Sequence, residues 1–216
     1  MRRWGIFVVL LGVLIGSSAL ALGFSVRGAL RYDGAFGLEG ELEYADRLDP
    51  TLTWGVRASL QAIPLSDVVL IVPNGFLEYR QGLIQDGPTA LSGYGKLELG
   101  IGELPQFFPR AVLSAGVEGR MPLMDGLDGF AQSGAYFDFI VTNRARLGVT
   151  GRVGAILIPF VPYLGAEYYY DFYPQTGVPK VYLGSLMYLS PQFFWGLEGG
   201  FDPSAFVRVL FQFSER

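Results

Sequence analysis

Hydrophobic and polar residues alternate along most of the chain beyond its N-terminal segment. In FSVRGALRY (24–32), Phe24, Val26, Leu30 and Tyr32 lie on one face, while two arginines lie on the other. A period of two is typical of a β-strand whose faces meet different surroundings, whereas an amphipathic helix repeats every 3.6 residues. The pattern therefore predicts strands rather than helices.

Twelve segments carry this alternation, each close to the roughly nine to eleven residues of a tilted membrane-spanning strand. They are 24–32, 37–45, 51–61, 76–84, 93–101, 111–120, 133–141, 144–153, 161–170, 181–189, 193–201 and 206–213. Turn-forming sequences such as YDGAFG, ADRLDP, QDGPT, MDGLDG, TNR and FDPS separate them. The apolar segment IPLSDVVLIVPNG (63–75) fits a long loop or a strand out of phase with its neighbours, so we expect about ten to twelve strands.

The N-terminus, MRRWGIFVVLLGVLIGSSALALG, has the three parts of a secretory signal peptide. Two arginines open it, an uncharged apolar run (6–15) follows, and the small-residue sequence Ala-Leu-Ala (19–21) provides a cleavage site. The apolar run is too short to span ~30 Å of hydrocarbon comfortably. We therefore expect residues 1–21 to be removed on export, which leaves residues 22–216 as a single domain.

The composition indicates which kind of exported protein this is. Half of the residues are hydrophobic and 15% are aromatic, yet 30 glycines and 13 prolines disfavour long helices, and no cysteine is present to form disulfides. Past the signal peptide, no apolar run approaches the ~20 residues of a spanning helix. A closed barrel leaves no backbone edge unpaired in lipid. These features predict an all-β fold, a closed antiparallel transmembrane β-barrel.

Charged residues within the strand segments fall on the face opposite the more apolar one. This polar face is predicted to line the lumen, where the charges must pair or stay hydrated because an isolated buried ion is costly. The predicted lumen-lining charges are Arg27, Arg31, Glu39, Glu41, Glu43, Arg57, Glu78, Arg80, Lys96, Glu98, Glu118, Arg120, Asp138, Arg144, Arg146, Arg152, Glu167, Glu198 and Arg208. Among them Glu167, in the aromatic segment VPYLGAEYYYDFY (161–173), is expected in the lumen beside Tyr163 and Tyr169, while its neighbour Leu164 faces lipid.

Aromatic residues gather near the ends of several segments, as expected of the interfacial girdles that lie at headgroup depth. The predicted girdle comprises Tyr168, Tyr170, Phe172, Tyr173, Phe193 and Trp195, and Phe107 and Phe108 beside a loop are interpreted in the same way. Ordinary packing in a core or a loop is the alternative interpretation of these rings.

The last segment, FVRVLFQF (206–213), alternates two valines and two phenylalanines on one side. It resembles the C-terminal strand that marks bacterial outer-membrane β-barrel proteins, and PYLGAEYYY (162–170) is similar to the Pro-Tyr-x-Gly strands of their small members. These short matches imply a small outer-membrane β-barrel and point to no particular family within that class.

The chain has no histidine and no cysteine, which excludes a Ser-His-acid site, imidazole metal ligands and zinc–thiolate sites. Carboxylate pairs are the remaining candidates for acid–base chemistry, namely Glu41 with Glu43 and Glu118 with Asp138. We interpret them as lumen charges instead. The sequence therefore predicts no catalytic residue, no metal site and no cofactor.

These features predict an integral outer-membrane protein that is structural or forms a narrow pore for ions or small solutes. Its expected partner is outer-membrane lipid, and the formal net charge of −4 argues against nucleic acid as a partner. The sequence leaves the oligomeric state open. A secreted soluble β-barrel that binds a lipophilic ligand inside is the alternative, because inverting the two faces preserves the alternation. An enzyme comes third.

Overall fold

The computed structural model describes residues 23–34, 36–63, 68–101, 108–141 and 144–215, so the predicted signal peptide lies outside the described residues. The strands are β1 Phe24–Tyr32, β2 Phe36–Arg47, β3 Leu52–Ile63, β4 Val68–Asp86, β5 Thr89–Ile101, β6 Pro109–Met124, β7 Leu127–Ile140, β8 Arg144–Ile156, β9 Phe160–Asp171, β10 Thr176–Tyr188, β11 Phe193–Asp202 and β12 Ser204–Glu215. Within these ranges, none of the structure is a helix with the length and apolar character needed to cross a membrane.

The twelve strands form one closed antiparallel sheet. Each strand pairs with the next along the chain, and β1 pairs with β12 to complete the ring. In the closing register, Arg27 lies opposite Gln212 and Ala29 lies opposite Leu210. Closure pairs the backbone groups that the first and last strands would otherwise leave as open edges. The prediction of an all-β closed barrel is confirmed, with a strand number at the upper end of the predicted range.

The segment 63–75 is largely strand, so its interpretation as a long loop is wrong for residues 68–75. These residues form the first part of β4 and pair with β3, where Pro73 lies opposite Ala58. The sequence VVLIV is apolar on both faces, so periodicity carries no signal there. The segments 24–32 and 206–213 coincide with β1 and the centre of β12, because their alternation is regular.

The hairpin connections at one end of the barrel are tight. Gly87 between β4 and β5 and Gly126 between β6 and β7 adopt positive φ angles of 57° and 77°, which a residue without a Cβ adopts at little cost. At the β2–β3 connection, the Asp49 carboxylate accepts hydrogen bonds from the Thr51 hydroxyl and from the backbone N–H groups of Thr51 and Leu52. These bonds, the hydroxyl bond foremost, hold the pKa of Asp49 below its usual value.

Aromatic rings lie flat against the wall of the barrel where the opposite residue is glycine. Gly165 on β9 faces Tyr182 on β10, and Gly148 on β8 faces Tyr136 on β7. A Cβ at either glycine would collide with the facing tyrosine ring. Glycine therefore makes room for large rings without narrowing the sheet, which accounts for part of the high glycine content of the strands.

The two faces of the sheet differ sharply in character. Large apolar side chains are exposed around the outside; five of them, Leu77, Leu113, Val149, Leu183 and Val209, are 41–64% exposed. The buried side chains include three carboxylates, Asp138, Asp171 and Glu198. A water-soluble domain has the opposite arrangement, with apolar groups inside and carboxylates outside.

Candidate functional site: the charged interior of the barrel

The ring of strands encloses a cavity of about 730 Å³, to which every strand except β5 contributes a lining residue. Its charged lining residues are Arg27, Glu39, Glu41, Arg110, Asp138, Arg146, Arg152, Glu198 and Arg208. Apolar side chains such as Leu186 and Leu210 complete the lining. Because one cavity touches strands on all sides of the ring, it lies inside the barrel, along its axis.

Arg57 on β3 is the centre of the largest ion-pair cluster. Its guanidinium approaches Glu43 at 2.6 Å, Glu98 at 3.2 Å and Glu41 at 3.5 Å. The contact with Glu98 passes over β4 to reach β5. Lys96 also contacts Glu98, at 2.8 Å. Side chains can bridge strands that are not neighbours only across the concave inner face, so this cluster lies inside the barrel.

Glu198 on β11 is the most deeply buried carboxylate of the described residues, with 2% of its surface exposed. It binds Arg208 on β12 at 2.6 Å and accepts a hydrogen bond of 2.8 Å from the hydroxyl of Tyr163 on β9. Arg208 also reaches Glu39 on β2, at 3.6 Å. This cluster therefore ties together strands on both sides of the β1–β12 closure.

Asp138 and Asp171 hold three arginines at the end of the barrel where β7 and β9 finish. Arg110 binds Asp138 through two parallel hydrogen bonds of 2.7 Å, the geometry that matches a guanidinium to a carboxylate. Asp171 contacts Arg146 at 2.9 Å and Arg144 at 3.5 Å. Both carboxylates are thereby neutralised by cations.

Glu167, the carboxylate in the aromatic segment, takes part in a further cluster. Its Oε1 accepts a hydrogen bond of 2.7 Å from the hydroxyl of Tyr136, and its Oε2 lies 3.9 Å from the Lys180 ammonium. Lys180 is closer to Asp202, at 3.2 Å, and Asp202 also contacts Arg31 at 3.4 Å. Glu167 is thus held mainly by a tyrosine and shares its cation with a second carboxylate.

Pairs nearer the opposite end of the barrel are more exposed. Arg80 on β4 contacts Glu78 at 3.0 Å and forms a shorter ion pair with Glu118 on β6. Arg120 pairs with Asp128 close to the β6–β7 turn. Exposed pairs of this kind contribute little to stability, since both ions are already well solvated.

Eight of the nineteen charges predicted for the lumen line the cavity, namely Arg27, Glu39, Glu41, Asp138, Arg146, Arg152, Glu198 and Arg208. That the full set lines a lumen stays a prediction. Eighteen of the nineteen form ion pairs. The exception is Arg152, whose guanidinium carbon lies 5.0 Å from the centre of the Tyr163 ring. The ion-paired charges that the prediction omits are Asp33, Arg110, Asp128, Asp171, Lys180 and Asp202. All of these except Asp128 lie one position outside a predicted segment, so segments longer by one residue would have included five of the six.

The carboxylate pairs considered for acid–base chemistry are held apart or neutralised. Glu41 and Glu43 both contact Arg57. Glu118 lies opposite Gln132, whereas Asp138 lies opposite Val112, so the two acids are six residues apart along β6, or about 20 Å. Across the ranges that the structure covers, no group of three or more acidic, histidine or cysteine side chains could hold a metal ion.

The predicted girdle residues lie at both ends of the barrel. Tyr168, Tyr170, Phe172 and Tyr173 cluster where β9 leads into β10, and the rings of Tyr170 and Phe172 meet edge to face at 5.2 Å. Phe193 and Trp195 lie at the other end, on β11, opposite two phenylalanines of β12. Phe108 precedes β6, and Phe107 lies outside the described residues. Contact of these rings with a membrane interface stays a prediction.

Comparison with known proteins gives matches among solved structures alone: no family model matches the chain, and the search of curated proteins finds no match. The NanC porin superposes with a TM-score of 0.57 at 8% identity, over 89% of this chain and 99% of the porin. The KdgM porin in complex with disordered oligogalacturonate superposes with a TM-score of 0.56 at 13% identity, over 89% of this chain and 98% of the porin. An outer membrane channel from Pseudomonas putida F1 superposes with a TM-score of 0.54 at 12% identity, over 91% of this chain and 97% of the channel. The chain therefore has the fold of bacterial outer-membrane porins over nearly its whole described length.

Proposed function

We propose that this protein is an integral outer-membrane β-barrel that forms a narrow pore for ions or small solutes, with a charge-lined lumen. The observation that carries the proposal is the inversion of polarity between the two faces of one closed sheet. Ion-paired arginines and carboxylates surround the inner cavity, and leucine, valine and aromatic side chains cover the outside. The fold shared with solved porins supports the same conclusion.

The outer surface favours lipid as its surroundings. Leaving a belt of exposed leucines and valines in water would be costly, because burying each such side chain is worth about 1.5–3 kcal/mol. Aromatic clusters lie at both ends of the barrel, near Tyr173 at one end and Trp195 at the other. Rings of this kind are enriched at the two interfaces of a bilayer. The outer membrane is thus the proposed location and its lipid the proposed partner.

The interior favours a constricted path over a wide channel. Barrels of about eight strands are filled by their side chains and those of sixteen or more enclose an aqueous channel, so twelve strands fall between these limits. Contacts that pass over an intervening strand, such as Arg57 with Glu98 and Tyr163 with Glu198, extend side chains into the lumen. The remaining cavity of about 730 Å³ admits hydrated ions and small solutes.

The soluble alternative, a barrel with a lipophilic ligand inside, fits the geometry less well. A lipophilic ligand would displace water from Asp138, Glu198 and their arginine partners without replacing any hydrogen bond, which is unfavourable. The outer face would also present apolar side chains to water around the whole barrel. We therefore do not favour this role, and we assign no catalytic role to the paired carboxylates.

Single-channel recording in a planar bilayer tests the proposed pore. The purified folded protein should insert and carry a small or intermittent ionic current, since ion-paired side chains narrow its lumen. The same protein unfolded by boiling serves as the control and should carry none. A folded protein that inserts but carries no current at any potential would contradict the pore, and a large steady current would contradict the constriction.

A further inference from the structure

Arg152 on β8 differs from the other charged residues that line the cavity. Each of the others belongs to an ion pair, whereas no carboxylate of the described chain lies within ion-pairing distance of the Arg152 guanidinium. The Arg152 guanidinium lies over the face of the Tyr163 ring, with its central carbon 5.0 Å from the ring centre. The side chain is half-buried, so water solvates this charge less fully than it solvates one on an open surface.

The residues beside Arg152 are neutral. Gln132 on β7 and Gly165 on β9 lie directly opposite it in the two neighbouring strands. The Tyr182 ring covers Gly165 and meets Tyr163 edge to face at 6.3 Å. Arg152 is therefore set among an amide and two aromatic rings, a surface with hydrogen-bonding capacity and no negative charge.

The carboxylates on the strands around this surface already have partners. Glu118, opposite Gln132, pairs with Arg80. Glu198 binds Arg208 at 2.6 Å and accepts a hydrogen bond from the Tyr163 hydroxyl, and Glu167 accepts one from the Tyr136 hydroxyl. Moving any of these acids towards Arg152 would break a bond that is already formed in the low-dielectric wall. A counter-charge for Arg152 would then have to come from outside the chain, as an anion that enters the cavity.

We propose that Arg152, with Tyr163 beneath it, forms a binding site for small carboxylate anions inside the barrel. A guanidinium presents parallel N–H donors that match the two oxygens of a carboxylate, which distinguishes such an anion from a neutral solute of the same size. The cavity of about 730 Å³ has room for a six-carbon acid. This inference rests on the proposed pore, through which the anion reaches the cavity, and it names the solute class that the pore would favour.

The test uses gluconate and its uncharged counterpart sorbitol as probes on single channels carrying chloride current. Gluconate should reduce the current through the unmodified protein, and sorbitol at the same concentration should not. Arg152→Gln should weaken the block about fivefold, the factor expected from one ion pair at ~4 Å in water. Arg152→Lys keeps the charge without the paired donors and should fall between the two.

A matched control removes a different arginine. Arg47 is exposed at the end of β2 and is absent from the cavity lining, so Arg47→Gln should leave the block by gluconate unchanged. The shift in gel mobility on boiling shows that each variant is folded. Equal block of the unmodified protein and Arg152→Gln, or equal effects of gluconate and sorbitol, would overturn the inference.

A second measurement separates this inference from the pore itself. If the unmodified protein carries no current, the proposed pore function is wrong. The role of Arg152 is then tested by adding folded protein in detergent to ¹³C-labelled gluconate and measuring the broadening of the gluconate NMR lines. Weaker binding to Arg152→Gln than to Arg47→Gln supports the site. Equal binding to the two variants refutes it.

Discussion

Replacing Glu198 with glutamine tests whether the buried ion pairs hold the barrel together. The Glu198 side chain is buried, and it lies 2.6 Å from Arg208 and 2.8 Å from the Tyr163 hydroxyl. Glutamine has nearly the same shape and can still accept the tyrosine hydrogen bond through its amide oxygen. The substitution therefore removes the negative charge and leaves the packing and the tyrosine contact in place.

The size of the effect follows from what remains around Arg208. Removing one member of a buried ion pair costs about 3–5 kcal/mol, because the other charge is left uncompensated in a poorly solvated site. Arg208 is 21% exposed and keeps a contact with Glu39 at 3.6 Å. The loss of stability should therefore lie near the lower end of that range. We expect Glu198→Gln to lower the free energy of unfolding by about 3 kcal/mol.

Denaturant unfolding of the protein in lipid vesicles, followed by tryptophan fluorescence, measures this loss. Glu118→Gln is the matched control: its pair with Arg80 is exposed, with 37% and 45% of the side chains accessible, so we expect a loss below about 1 kcal/mol. Combining Glu198→Gln with Arg208→Met should recover part of the stability, because no buried charge then remains unpaired. Equal losses for the Glu198 and Glu118 variants would refute the reasoning.

Two further predictions concern the outer face and the lumen. Leu164→Arg replaces an outward side chain that is 49% exposed, and near the middle of the bilayer it should lower the free energy of unfolding by ~2–4 kcal/mol. Thr150→Arg, on the inner face opposite Glu167, should lower it by less than ~1 kcal/mol. Equal losses for the two variants in the same unfolding assay would mean that the faces are misassigned. Glu167→Gln should shift the reversal potential in a salt gradient only slightly towards anion selectivity, because Lys180 still pairs with Asp202 at 3.2 Å. A shift as large as the one that Asp202→Asn produces would contradict the assignment of Asp202 as the main partner of Lys180.

The architecture could be predicted from the sequence because alternation is a local signal. Twelve regular segments correspond to twelve strands, and their closure follows from the need to pair every backbone edge. The signal failed at the start of β4, where the five consecutive residues from Val68 to Val72 are all apolar and show no alternation. A periodicity argument has nothing to measure in such a stretch, and only pairing with β3 shows that it is strand.

The sequence predicts which face of the sheet carries the charged residues, but it does not predict which of these residues pair with one another. Assigning Glu198 to the interior requires only its phase within β11. Its contact with Tyr163 passes over β10, and the contact of Arg57 with Glu98 passes over β4, so both depend on the register of three strands at once. The lack of an ion pair at Arg152 could not be predicted for the same reason, because it depends on the pairing of every carboxylate on the surrounding strands.

Cell fractionation tests the central claim, that the apolar outer face meets lipid and the charged face lines a closed barrel. The account predicts that the protein sediments with outer membranes, resists extraction at alkaline pH, needs detergent for release, and migrates differently on a gel before and after boiling. Recovery of the folded protein in the soluble periplasmic fraction, without detergent, would contradict it.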